Sequence, residues 1–161
     1  MPEMVYVRNA GEFLTSLFKQ ADHSQLRKGI VHLDMWYDNM NIENEYAITV
    51  FDFDFCGSGW LLLDIAYFSM QLFQTEPDKI QFELKLKSFR ESYEQITPLT
   101  EEERRLVPYA GLTIWIFYLG VQSQRFDNWS NIFLTNNYRK HYIGLVKGWL
   151  TYHHIELPTA D

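Results

Sequence analysis

Residues 29–67, GIVHLDMWYDNMNIENEYAITVFDFDFCGSGWLLLDIAY, constrain this chain more than any other stretch. In it, short apolar segments run into polar, carboxylate-rich ends. Ile30-Val31 leads into His32-Leu33-Asp34, and Asn39 follows five residues after Asp34. Residues 40–42 and 47–51 read as two short strands, with Glu43-Asn44-Glu45 as the turn between them. The second strand ends on Asp52-Phe53-Asp54, a loop with Gly57 and Gly59 follows, and a helix begins near Leu61 or Leu62. A hairpin of this kind gathers a carboxylate, an amide and a second carboxylate at one edge. Oxygen ligands so grouped suit Mg²⁺ and phosphate.

Composition narrows the class. With 161 residues the chain is long enough for one domain with a real core. A net charge of −7 without a Lys/Arg cluster argues against a nucleic-acid surface. Five histidines and a single cysteine, Cys56, exclude a disulfide framework and a Cys-based zinc site, and point to a reducing cytosol. The start, MPEMVYVRNAGEF, lacks the basic and apolar regions of a signal peptide. The most apolar run, residues 106–121, contains Pro108, Gly111 and Thr113 and is shorter than the roughly 20 residues a bilayer requires. It reads as a buried helix, so no membrane partner is expected.

The rest of the chain is helical. Phe13, Leu14, Leu17 and Phe18 form the stripe of an amphipathic helix over residues 10–20, which Asn9 is placed to cap. Residues 62–74 are apolar on most faces, and Glu76-Pro77-Asp78 breaks the helix. Residues 79–95 mix charge with Ile80, Phe82, Leu84 and Leu86; length and Lys/Glu content favour a surface helix over a strand. Thr100-Glu101-Glu102-Glu103 is a capping box that opens a long helix containing Pro108. Residues 124–131 are turn-like, and a last helix runs from Asn136 or Asn137 to about Tyr152. The expected class is α+β and mostly helical, a single domain over 1–161. It divides into a leading helix (1–28), a polar loop and hairpin (29–60), and a helical subdomain (61–161).

The pattern His32-x-Asp34-x-x-x-x-Asn39 has a chemical logic. Activating a hydroxyl requires a carboxylate near the acceptor oxygen, and a nearby metal ligand must hold the leaving phosphate in line. Asp34 and Asn39 meet those needs on one loop, while His32, between Val31 and Leu33, is better placed to brace it. Asp52 lies 52 − 34 = 18 residues beyond Asp34, and a hairpin between them brings it beside Asn39. The competing reading has Asp52 and Asp54 merely ending a strand and capping the next turn. Elsewhere the plain readings prevail. His153-His154 and His141 are surface residues, Cys56 is a packed thiol, and Trp115, Phe117 and Tyr118 belong to the core. Gln122, Gln124 and Arg125 have the chemistry to face an acceptor.

These residues resemble the aminoglycoside phosphotransferase/choline kinase-like superfamily, whose members share the catalytic-lobe logic of protein kinases. The likeness rests on His32-Leu-Asp34 with Asn39, then the hairpin and Phe51-Asp52-Phe53-Asp54. It implies Asp34 as catalytic base, Asn39 and Asp52 as Mg²⁺ ligands, ATP as phosphoryl donor and a small hydroxyl compound as acceptor. It extends to Asp64 in Leu63-Asp64-Ile65-Ala66, which with His32 would brace the loop. Residues 117–129 look like the substrate-side helices of bacterial members, among them the stress-response kinase branch. Two departures touch the acceptor side. Leu33 stands where the family usually has glycine, and Met35-Trp36-Tyr37-Asp38 replaces its small or proline-containing stretch, which makes Trp36 and Tyr37 candidate substrate contacts. Asp54 reads as a loop hydrogen-bonding residue rather than a second metal contact.

Such kinases bind ATP beneath a β-rich amino lobe that supplies a glycine-rich loop and a lysine. The residues before His32 contain neither; Lys19 and Lys28 are no replacement. The likeness therefore covers a protein-kinase-like carboxy-terminal lobe with the amino lobe absent, expected to be weakly active or inactive alone. Uncovered apolar surface near residues 35–37 and 53–60 would favour self-association or a partner that supplies the other lobe. The rival expectation is a non-catalytic binding or assembly protein that keeps the lobe as a scaffold.

Overall fold

The computed structural model describes residues 2–44, 47–124 and 135–158. The fold is mostly helical, with two small antiparallel sheets among the described residues. Helix α1 (Pro2–Gln20) begins well before its apolar stripe and ends where expected. Asp22 then caps a short 3-10 turn, its carboxylate accepting from the Ser24 N–H at 3.1 Å. Strands β1 (Lys28–Val31), β2 (Met40–Asn44), β3 (Ala47–Val50) and β4 (Gly57–Trp60) follow. After them come α2 (Leu62–Thr75), α3 (Lys79–Ile96), α4 (Glu101–Gln124) and α5 (Asn136–Tyr152). Two compact units result: residues 22–111 form one, and residues 1–21 with 112–161 the other.

In the unit of residues 22–111, β2 and β3 make the expected hairpin, with Met40 opposite Val50 and Ile42 opposite Ile48. Glu43 and Asn44 extend β2 rather than forming the turn, and the register shifts between Ile42 and Asn44. The remaining turn residues, 45–46, lie outside the described residues. The expected loop across Gly57 and Gly59 is instead strand β4, antiparallel to β1, with Gly29 opposite Gly59. A Cβ on Gly59 would meet Val31 Cγ2 at 2.9 Å, and one on Gly29 would meet Leu61 Cδ2 at 2.6 Å. The glycines therefore serve close approach between strand and neighbour, a use that composition alone does not separate from a turn.

Helix α2 buries Leu62, Ile65, Ala66, Tyr67, Met70 and Leu72, as its all-round apolar pattern requires. Helix α3 buries only Phe82 and Leu86, while Phe68 stacks on Phe89 with ring centroids 4.2 Å apart. The capping box forms as read. The Thr100 N–H donates to Glu103 Oε2 at 3.1 Å, and the Glu103 N–H donates to Thr100 Oγ1 at 3.0 Å. Glu103 has a second task that the sequence did not disclose. Its fully buried carboxylate takes Arg27 Nη2 at 2.7 Å, Arg27 Nε at 2.9 Å and the Arg27 backbone N–H at 3.0 Å. Burial pushes this carboxyl up, but the Arg27 and Thr100 donors outweigh it and hold the group below its ordinary value. The entry to β1 is thereby tied to the start of α4.

In the other unit, α4 continues past Pro108 and buries Leu112, Ile114 and Trp115. The Trp115 ring meets Trp149 of α5 edge-on at 5.5 Å, and the Tyr142 hydroxyl donates to the Trp115 carbonyl. Burial pushes the Tyr142 phenol strongly upward. Thr135, one residue before the expected start, caps α5 by accepting from the Tyr138 N–H at 3.2 Å. Three plain readings need correcting. His153 packs on Trp149 at 4.2 Å instead of being solvated, Phe117 is 48% exposed rather than core, and Cys56 is exposed rather than packed. His141 and His154 lie at the surface as expected. No described helix is long and apolar enough to cross a membrane.

Candidate active site

The site is built on the loop between β1 and β2. Strand β1 ends at the buried Val31, and the chain then turns through Leu33 at φ 61°, a left-handed conformation that favours glycine. The carboxylate of Asp64, in the first turn of α2, holds this turn in place. It accepts the His32 N–H at 2.9 and 3.0 Å and the Leu33 N–H at 2.8 Å. Leu33 therefore occupies the backbone conformation that a glycine would adopt freely.

His32 is 4% exposed and ties two segments together. Its Nδ1 accepts the Asp34 N–H at 3.3 Å, and its Nε2 lies 3.1 Å from the Phe51 carbonyl. Since that carbonyl only accepts, the ring carries its proton on Nε2. The Phe53 ring lies 4.9 Å from it. His32 thus links the Asp34 loop to the end of β3, immediately before Asp52.

Asn39, 7% exposed, closes a 3-10 turn (Tyr37–Asn39), its N–H donating to the Trp36 carbonyl at 3.0 Å. Its side-chain Nδ2 donates to the Asp34 carbonyl and to Asp34 Oδ2, both at 2.8 Å. With the amide nitrogen so committed, Oδ1 faces away and accepts no hydrogen bond among the described residues. Its backbone carbonyl accepts the Phe51 N–H at 3.1 Å, so the chain immediately before Asp52 lies against Asn39. Asp52 itself is exposed, at φ 61°, and its carboxylate makes no hydrogen bond or ion pair among the described residues.

Asp34 and Asn39 are therefore in direct contact, His32 and Asp64 brace them, and Asp52 stands one residue beyond the segment that both Asn39 and His32 touch. The loop hydrogen bond expected of Asp54 is absent among the described residues; the turn is closed by the Cys56 N–H on the Phe53 carbonyl at 2.9 Å. Trp36 is half-buried and Tyr37 is 54% exposed. Gln124 ends α4, and Arg125 lies outside the described residues. Sequence reasoning missed Tyr67, whose hydroxyl donates to Asp34 Oδ1, and Gln71, whose Nε2 donates to that hydroxyl at 2.8 Å. Asp64, Tyr67 and Gln71 share one face of α2 by helical spacing, and that was the available signal.

The sequence model of the phosphotransferase enzyme family matches residues 7–99. The chain belongs to that family. Within it, the chain is 30% identical to a homoserine kinase of Methylobacillus glycogenes over 104 residues, 62% of this chain and 32% of that protein. It is also 30% identical to a homoserine kinase of Polaromonas naphthalenivorans (strain CJ2) over 87 residues, 53% of this chain and 27% of that protein. The chain thus spans about a third of the length of these curated relatives. The family match includes every member of the cluster around Asp34.

Among the described residues no group of three or more His, Cys, Asp and Glu side chains is placed to hold a metal. The available donors are oxygens: Asn39 Oδ1 and the Asp52 carboxylate. That set fits a hard cation that completes its shell with phosphate and water, the habit of Mg²⁺, and does not fit zinc. Of the apolar surface expected at residues 35–37 and 53–60, Tyr37 and Phe53 are exposed at 54% and 58%, while Met35, Trp36, Phe55 and Trp60 are half-buried; outside those ranges the paired Ile42 and Ile48 are exposed at 59% each.

Proposed function

We propose that residues 1–161 act as the catalytic lobe of a kinase that passes the γ-phosphate of ATP to a hydroxyl of a small molecule. The observation that carries this reading is the Asp34–Asn39 contact at 2.8 Å within the matched family region. Asp34 would accept the acceptor's hydroxyl proton, Asn39 Oδ1 and Asp52 would hold Mg²⁺, and His32 and Asp64 would keep the loop in register. Bound Mg²⁺ would neutralise charge on the phosphates. The acceptor we place first is homoserine, because two relatives are homoserine kinases. Trp36 and Tyr37, with Gln124 and Arg125, remain the proposed acceptor-side residues, and a reducing cytosol the proposed compartment.

Positioning and charge neutralisation carry phosphoryl transfer, so a lobe without a phosphate-covering partner is weak alone. We assign Ile42, Ile48, Phe51 and Phe53 to contact with a nucleotide-binding lobe; the relatives' much greater length supports that choice over a second copy. Sedimentation showing a concentration-dependent dimer would reassign the surface to self-association, and calorimetry giving micromolar affinity for Mg·ATP would overturn the incompleteness. The decisive assay follows phosphate transfer from Mg·ATP to homoserine, choline, an aminoglycoside and a fructosamine. A slow rate on one acceptor is expected, falling on the order of 10³-fold in Asp34→Asn. Equal rates in the two proteins would leave only a binding or assembly role.

A further inference from the structure

We propose that Tyr67, oriented by Gln71, is a positioning residue that sets the direction of the Asp34 carboxylate. The proposal rests on the reading of Asp34 as the base, and goes beyond it. Tyr67 is 1% exposed on α2, and its hydroxyl donates to Asp34 Oδ1. Gln71, one turn further along α2, donates its Nε2–H to the Tyr67 oxygen at 2.8 Å. An amide nitrogen donates only, and an ionised carboxylate accepts only. The polarity of the relay is therefore fixed: Gln71 to Tyr67 to Asp34, with the single phenolic proton aimed at Oδ1.

The opposite oxygen, Oδ2, accepts from Asn39 Nδ2 at 2.8 Å. Rotating the carboxylate breaks both contacts at once. Asp64 and His32 fix the loop through backbone N–H groups and leave this rotation uncontrolled. An incoming hydroxyl therefore meets an acceptor whose direction is already set. A base held in that way loses less entropy on reaching the transition state.

The test joins a spectroscopic arm to a kinetic one, both on this chain. By NMR, the Tyr67 hydroxyl proton is expected as a downfield, slowly exchanging signal. It should disappear in Tyr67→Phe and shift in Asp34→Asn and in Gln71→Met. In the transfer assay, Tyr67→Phe is expected to lower kcat about tenfold, with KM for acceptor and Mg·ATP within about twofold of the parent. Gln71→Met, which keeps the phenol, should lower kcat by less. A raised KM with unchanged kcat would make Tyr67 a pocket wall, and a raised kcat would make it a block on the base; either overturns the proposal. A rate that falls in Asp34→Asn but not in Tyr67→Phe overturns the positioning role alone. A hydroxyl signal that responds to Asp34→Asn beside an unchanged rate overturns the kinase reading and the positioning role with it.

Discussion

Leu33 and Asp52 share a backbone conformation, each at φ 61°, yet their surroundings are opposite. Around Leu33, Asp64 takes two backbone N–H groups, His32 takes a third, and Asn39 and Tyr67 hold the Asp34 carboxylate. Around Asp52 the side chains of Asp52 and Asp54 are exposed, without hydrogen bonds among the described residues. One half of the site is assembled by the protein itself. The other half presents carboxylates to whatever binds. Under the proposed function the first half would supply the base and the second the oxygen ligands of a cation.

The largest expected effect is at the assembled half. Asp64→Ala leaves the His32 and Leu33 N–H groups without their acceptor and should cost about 3 kcal/mol by urea unfolding; a loss below about 1 kcal/mol would show that the loop holds itself. Next is the anchor beneath it. Arg27→Ala strands the buried Glu103 carboxylate and should cost about 2 kcal/mol. The same pair sets an acid limit. The folded Glu103 carboxyl lies below its ordinary 4.5, so its contribution is complete above about pH 4.5 and is lost as pH falls through the lower folded value. Glu103→Gln should flatten that part of an acid-unfolding curve.

Smaller effects separate the two left-handed residues. Leu33→Gly removes a steric penalty of about 1 kcal/mol, partly offset by unfolded-state entropy, so melting should rise slightly. A marked fall would mean that the Leu33 side chain, not its backbone, matters. Asp52→Ala should change stability by no more than about 0.5 kcal/mol while abolishing any stabilisation by Mg²⁺.

What the sequence revealed follows the same division. Local signals carried the hairpin, the Thr100–Glu103 box and the pairing of Asp34 with Asn39, because spacing along one short segment decides each of them. Strand β4 departs from the expected loop because a glycine such as Gly59 marks close packing on Val31 and Leu63 as well as it marks a loop. The Arg27–Glu103 pair spans 76 residues, and no local pattern announces it. Tyr67 reads as one more apolar position of a buried helix; its place on the α2 face of Asp64 and Gln71 is the local signal, but the contact of its hydroxyl with Asp34 lies 33 residues away along the chain. Of the expected turn-like stretch 124–131, Gln124 instead ends α4, and the rest, with Arg125, lies outside the described residues.

The central claim is that Asn39 and Asp52 hold one divalent cation beside Asp34. Its most direct test is Mn²⁺ titration in the presence of ATP, followed by paramagnetic broadening of assigned NMR signals. Selective broadening at Asn39, Asp52 and Asp34, lost in Asp52→Ala, is the predicted result. Broadening elsewhere on the molecule with those three signals untouched would contradict it.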